Sequence, residues 1–124
     1  MDLSDTEHEV IDFWVRFGQF LGFQRSVGQV YGLIFLSEEP IHADVCVERL
    51  GISRSSVGQS LTTLHEAGAI RKVLKTGSRK EHYRMETDLQ VLLNSYMNRK
   101  AIPTLDAFQH DLIQIKAAAQ KEKS

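Results

Sequence analysis

Apolar residues return at helical spacing in six stretches of the chain, most of them bounded by a capping residue, a glycine or a proline. The first runs from Ser4 to about Phe20 or Leu21. Ser4 and Glu7 have the spacing of a capping box, in which the hydroxyl takes a first-turn N–H and the carboxylate reaches back to the cap. Val10, Phe13, Trp14, Phe17, Phe20 and Leu21 form a broad apolar face, with Asp12, Arg16 and Gln19 elsewhere. Residues 22–24 break the helix, and a second one over Ser26 to Leu36 carries Val27, Val30, Tyr31, Ile34 and Phe35. Gly28 and Gly32 sit inside it, where each costs about 1 kcal/mol relative to alanine. Their separation by one turn predicts close approach of a second helix to that face.

Pro40 to Glu86 is the stretch around which the chain is organised. Ile41 to Leu50 reads as a short helix with Val45, Cys46, Val47 and Leu50 apolar, and Gly51-Ile52-Ser53 reads as a tight turn. Ser53 is a good N-cap for a following helix. Val57, Leu61 and Leu64 mark its buried stripe, and Gly68 supplies the left-handed residue that ends it. Ala69 to Lys75 and Glu81 to Glu86 read as two strands around a Thr76–Lys80 loop, with Gly77 at the bend. Helix, turn, helix and basic hairpin in that order predict a winged helix-turn-helix. The outer face of the second helix holds Arg54, Ser55, Gly58, Gln59, Thr62 and Thr63. That face is polar but nearly uncharged, which suits the base edges of a major groove better than bulk solvent.

Asp88 can cap a further helix with Leu89, Val91, Leu92, Leu93, Tyr96 and Met97. Pro103 is expected to interrupt it, having no N–H to donate. A last helix over Thr104 to about Lys121 follows, with Leu105, Phe108, Leu112 and Ile115 at helical spacing and a fraying end at Lys121 to Ser124. The expected class is mainly α with a small β-hairpin wing (α+β). Residues 1–124 form a single winged-helix domain, with a DNA-binding core at 25–86 and dimerisation helices at 4–22 and 88–121.

Charge sharpens the expectation. The chain carries net −1, yet residues 53–84 hold seven basic residues against Glu66 and Glu81, a local +5. Residues 1–52 are correspondingly acidic, with three basic against nine acidic residues. A positive patch on an acidic body is the footprint expected of a phosphate-binding surface. A single cysteine excludes an intramolecular disulfide framework and fits a reducing cytoplasm. Acidic residues occupy the start where a signal peptide needs positive charge, and no apolar run approaches a membrane span.

Three segments resemble the GbsR branch of the MarR-like transcriptional regulators: Gly22 to Leu36 (GFQRSVGQVYGLIFL), Gly51 to Gly68, and the Gly77-Ser78-Arg79-Lys80 loop. The resemblance covers roughly residues 10–100. It implies a homodimeric winged-helix repressor or activator whose wing arginine reaches the minor groove, in a branch linked to choline and glycine betaine metabolism. Gln24 stands where that pattern has proline, and His42 where a Ser or Thr cap is usual.

The candidate DNA contacts are Ser53, Arg54, Ser55, Ser56, Gln59 and Thr63 on the recognition helix, and Lys75, Arg79 and Lys80 on the wing. Arg25 and Ser26, opening the second helix, are candidate phosphate contacts. Gln59 has the bidentate geometry for adenine, and Arg54 that for guanine or phosphate. The five histidines show no ligand spacing, no nucleophile–base arrangement is visible, and neither a cofactor nor an enzymatic activity is expected. Cys46 is expected to pack in the core, the alternative being a redox sensor. Phe13, Trp14, Phe17, Phe20, Phe23, Tyr31 and Phe35 gather seven of the ten aromatics. Core and dimer packing explain them, and a cage for a choline-like effector is the alternative. The expected function is sequence-specific binding of double-stranded DNA by a cytoplasmic homodimer on a near-palindromic operator, repression being the expected direction. A winged helix used for protein–protein assembly, or a ligand or redox sensor, is the rival.

Overall fold

The computed structural model describes residues 3–123, apart from the side chain of Leu89. The chain folds as α1 (Asp5–Phe20), α2 (Arg25–Leu36), β1 (Ile41–His42), α3 (Ala43–Leu50), α4 (Arg54–Glu66), β2 (Ile70–Val73), β3 (His82–Met85) and α5 (Leu89–Tyr96). A π-helical turn, Met97–Ala101, then leads into α6 (Ile102–Lys123). This is a mainly α-helical winged helix-turn-helix with a small three-stranded wing and helices at both termini.

The core lies where α2 meets α3, α4 and the sheet. Val30, Leu33, Cys46, Val57 and Ile70 are buried there, and Tyr83 closes it from β3. The capping box at Ser4 forms in both directions: Glu7 N–H donates to Ser4 Oγ and Ser4 N–H to Glu7 Oε1. Gly51 ends α3 in the left-handed region (φ 66°), and Gly68 follows α4 in the same region (φ 78°). A Cβ at Gly68 would also meet Ser95 on α5 at 2.3 Å, so turn and helix packing both require glycine there.

The structure corrects four expectations. The buried stripe of α1 is Ile11, Val15 and Gly18. The expected stripe partly points outward, with Phe13 and Phe17 about half exposed and Phe20 85% exposed. Bulky aromatics would hold α1 off α2, whereas the small Gly28 and Gly32 admit the backbone of α1 directly. Second, Ile41 and His42 are not helical. They form a strand paired antiparallel with β3, Ile41 opposite Tyr83 and His42 opposite His82, giving sheet order β1-β3-β2. His42 then caps α3 itself, its Nδ1 accepting from Asp44 N–H at 3.0 Å. Third, the two wing strands are shorter than the pattern suggests, and the segment between them is correspondingly longer.

Fourth, Pro103 does not break the helix. The missing N–H would have bonded the carbonyl four residues back, and the chain widens into the π turn there instead of stopping. α6 continues to Lys123, past the expected fraying point, while Ser124 lies outside the described residues. The expected apolar Leu89 side chain also lies outside them. Asp88 caps α5 as expected, accepting from the N–H groups of Gln90 and Val91. Every described residue from Ile102 to Lys123 is exposed, including Leu105, Phe108, Leu112 and Ile115.

Candidate nucleic-acid interface

α4 is oriented by its own composition. Val57, Ser60, Leu61 and Leu64 are buried, which turns Arg54, Ser55, Gly58, Gln59 and Thr62 outward. Ser53 caps the helix: its Oγ accepts from Ser56 N–H at 3.0 Å and donates to Ser56 Oγ at 3.0 Å. The buried Ser60 hydroxyl donates to Ser26 Oγ at 3.0 Å and fixes α4 against the first turn of α2. Of the candidate contacts, Arg25, Ser53, Arg54, Ser55, Gln59, Lys75, Arg79 and Lys80 are exposed, and Ser26, Ser56 and Thr63 are partly covered. Ser26 Oγ accepts this bond and keeps its own O–H to donate, with Arg25 exposed beside it.

The wing loop turns at Gly77, where Ser78 N–H donates to Lys75 carbonyl and Lys80 N–H to Ser78 Oγ. At its base, His82 Nδ1 lies 2.9 Å from the Lys80 carbonyl oxygen, and the His42 and His82 rings stand 5.7 Å apart. Among the described residues no three His, Cys, Asp or Glu side chains converge as a metal site. Nor is any helix long and apolar enough to cross a membrane.

Sequence reasoning missed the residue that joins these parts. Asp44, in the first turn of α3, bonds Arg54 at the start of α4 and Lys80 in the wing, its Oδ2 lying 3.0 Å from Lys80 Nζ. Arg54 first and Lys80 second hold the Asp44 carboxyl down at about 2. An acid in a first helical turn looks local in sequence, where it complements the helix dipole. Apart from His42, whose Nδ1 lies 3.3 Å from Oδ2, its partners lie 10 and 36 residues away, and nothing in the pattern announces them.

A second missed link reaches α4 from behind. The π turn sends Arg99 to the last carbonyls of α4, with Nη1 donating to His65 O at 3.1 Å and Glu66 O at 3.0 Å. Lys100 lies over the Phe23 ring at 5.6 Å. Beside this junction an apolar cavity of about 400 Å³ opens between α1, α2, α5 and the end of α4. Trp14, Phe17, Phe23, Tyr31, Leu64 and Tyr96 are among its walls. Trp14 stands edge-on to Tyr31 at 4.8 Å and also packs on Phe13, Phe17 and Phe35. Cys46 is fully buried, and burial pushes its thiol up to about 11.

No protein-family model matches the chain. Two Bacillus subtilis proteins are each 30% identical to it over 67 residues: YvaV, which carries a provisional HTH-type transcriptional regulator name, and the HTH-type transcriptional repressor OpcR. The match takes in 54% of this chain but 38% of YvaV and 36% of OpcR, so it spans little more than a third of either relative. Among solved structures, one described as a transcriptional regulator superposes with a TM-score of 0.69 at 16% identity, covering 96% of this chain and 78% of that one. A variant of S. aureus MepR bound to an oligodeoxyribonucleotide superposes with a TM-score of 0.54 at 15% identity, covering 94% and 88%. At these identities the structural likeness is one of fold.

Proposed function

We propose that this chain is a DNA-binding transcriptional regulator of the MarR-like winged-helix class, acting as a homodimer on double-stranded DNA. The observation that carries the reading is the shared surface of α4 and the wing. The outward face of α4 offers hydroxyl and amide groups with one cation, Arg54, at its start. Through Asp44 the wing cation Lys80 is drawn to that same start. A helix of this kind fits a major groove while a flanking basic loop tracks the backbone or the minor groove. Ser55, Gln59 and Thr63 would face base edges, Ser53, Ser56, Arg25 and Lys75 would position the phosphates, and Arg79 would lead the wing. The two relatives named as regulators and the fold shared with a DNA-bound protein support this reading. Repression is the proposed direction, after OpcR, and the Gly22–Leu36 segment supports placement near the GbsR branch.

The exposed apolar line on α6 supports the homodimer, with the Phe13 and Phe17 side of α1 as the other contributing surface. Two recognition helices would then stand about one DNA turn apart, ~34 Å, on a near-palindromic site. The aromatic cavity supports a small-molecule effector of choline-like chemistry, whose cation would lie against the Trp14 and Tyr31 rings.

The test is fluorescence anisotropy of the full chain with duplexes enriched from a randomised library, against a scrambled control, across a salt series. Tighter binding to the enriched duplex, with log K falling linearly in log salt, is the expected result. Arg79→Ala should weaken both duplexes and reduce the slope by about one. Failure to enrich any sequence, with no binding at low salt, would point instead to a winged helix used for protein assembly.

A further inference from the structure

Asp44 brings together three elements: the first turn of α3, the first residue of α4 and the end of the wing loop. One carboxylate oxygen bonds Arg54 Nη1 and the other lies 3.0 Å from Lys80 Nζ. All three side chains are substantially exposed, at 41% for Asp44, 69% for Arg54 and 62% for Lys80. Ion pairs as open as these contribute little to fold stability. Their geometry is more telling. Two cations from two DNA-facing elements converge on two anionic oxygens, and that is also how a phosphate group is held by charge-assisted hydrogen bonds.

We infer that the Asp44 carboxylate is an internal stand-in for one DNA backbone phosphate. The inference rests on the DNA-binding reading above. In the free protein Asp44 keeps Arg54 and Lys80 gathered where a single phosphate is to sit, between the start of the recognition helix and the wing. On binding, the phosphate takes the two cations and the carboxylate gives them up. Asp44 thereby lowers affinity twice: its pairing with the two cations must be broken, and its charge then remains beside a phosphate of the same sign. Its cost falls on every DNA sequence alike, because phosphates carry no sequence information.

The experiment uses the full chain, the enriched duplex and the scrambled duplex, with wild type, Asp44→Asn, Asp44→Ser, Arg54→Ala/Lys80→Ala, and that double variant with Asp44→Asn added. At about 0.15 M salt, Asp44→Asn and Asp44→Ser should each bind both duplexes about fivefold tighter per protomer, with a slope steeper by about 0.9, the equivalent of one more phosphate contact. The gain should shrink when Arg54 and Lys80 are both alanine, since the carboxylate then competes for no cation and only its repulsion of the phosphate remains. Unchanged or weaker binding in both Asp44 variants, with unaltered thermal melting, overturns the inference and makes Asp44 a brace for the wing. A gain that is undiminished without Arg54 and Lys80 also overturns it, leaving only general repulsion. Wild type that binds neither duplex overturns the DNA-binding reading itself, and this inference with it.

Discussion

A methyl group on Gly28 would stand 2.5 Å from the Cα of Val15 and 2.7 Å from the carbonyl oxygen of Trp14. Both neighbours are backbone, so neither can rotate away. Gly32, one turn on, is less tight, at 3.0 Å from the Cα of Ile11. The contact of α1 with α2 is thus set by backbone against backbone. Gly28→Ala should destabilise the fold by about 3 kcal/mol, the upper part of the range for overpacked sites. Gly32→Ala should cost less. Chemical denaturation of the two variants reads both values, and equal stability of Gly28→Ala and wild type would show that α1 does not sit this close.

Cys46 has no exposed surface and its thiol is held up at about 11 by burial. The thiolate is the reactive species. Native protein at neutral pH should therefore label with a thiol reagent only as fast as it unfolds, and DNA binding should survive mild peroxide treatment. Rapid labelling of folded protein would restore the redox-sensor reading.

Much of this architecture is legible along the chain because it is local. A cap acts within three residues, so Ser4, Ser53 and Asp88 declare three helix starts. The order helix, glycine turn, helix and basic hairpin likewise lies open to reading. What stays hidden depends on partners far away in sequence. Two residues cannot display a strand period, so Ile41 and His42 look like a helix start until β3 is beside them. The α1 helix has two apolar stripes, and only the glycines of α2 decide that Ile11 and Val15 go inward. The bridging role of Asp44 and the reach of Arg99 to α4 are invisible for the same reason.

Asp44 also gives the fold a signature in acid. Its folded-state pKa, about 2, lies below the ordinary 3.8, with the Arg54 hydrogen bond as the largest cause and Lys80 next. A depressed carboxyl contributes stability that is full above the unfolded pKa and is lost as pH falls through the folded one. The window is therefore from about pH 4 down to about pH 2. Because the pairs are open to solvent the effect is small: thermal melts across that window should fall slightly less steeply for Asp44→Asn than for wild type. Parallel curves would mean that the pairs do not persist in solution.

Gly58 lies in the exposed face of α4, and a Cβ there would meet nothing within 4 Å. Folding gains nothing from glycine at this position, since alanine is favoured by about 1 kcal/mol in a helix interior. A bare backbone on the outward face is useful where another molecule must approach closely. Gly58→Ala should accordingly raise the melting temperature while weakening DNA binding. Opposite signs in the two measurements are the expected outcome. A stabilised variant with undiminished DNA affinity would move the groove contact off the middle of α4.

α6 poses the clearest question of assembly. It is 22 residues long, or about 33 Å at 1.5 Å per residue, and all its described residues are exposed. Leu105, Phe108, Leu112 and Ile115 are spaced by three, four and three residues, the repeat of a helix seam. Phe108 and Leu112 stand 67% and 66% exposed. An apolar line of this length left in water fits the dimer surface proposed above. Sedimentation equilibrium should give about twice the 14.1 kDa chain mass, and Leu112→Lys should return it to that of one chain. The same substitution should weaken binding to a two-half-site duplex by at least tenfold, because the second half-site then loses the high effective concentration that linkage provides. Binding to a single half-site should be unaffected. A wild-type chain that sediments as a monomer at tens of micromolar would remove the homodimer from the proposal and leave α6 to some other partner.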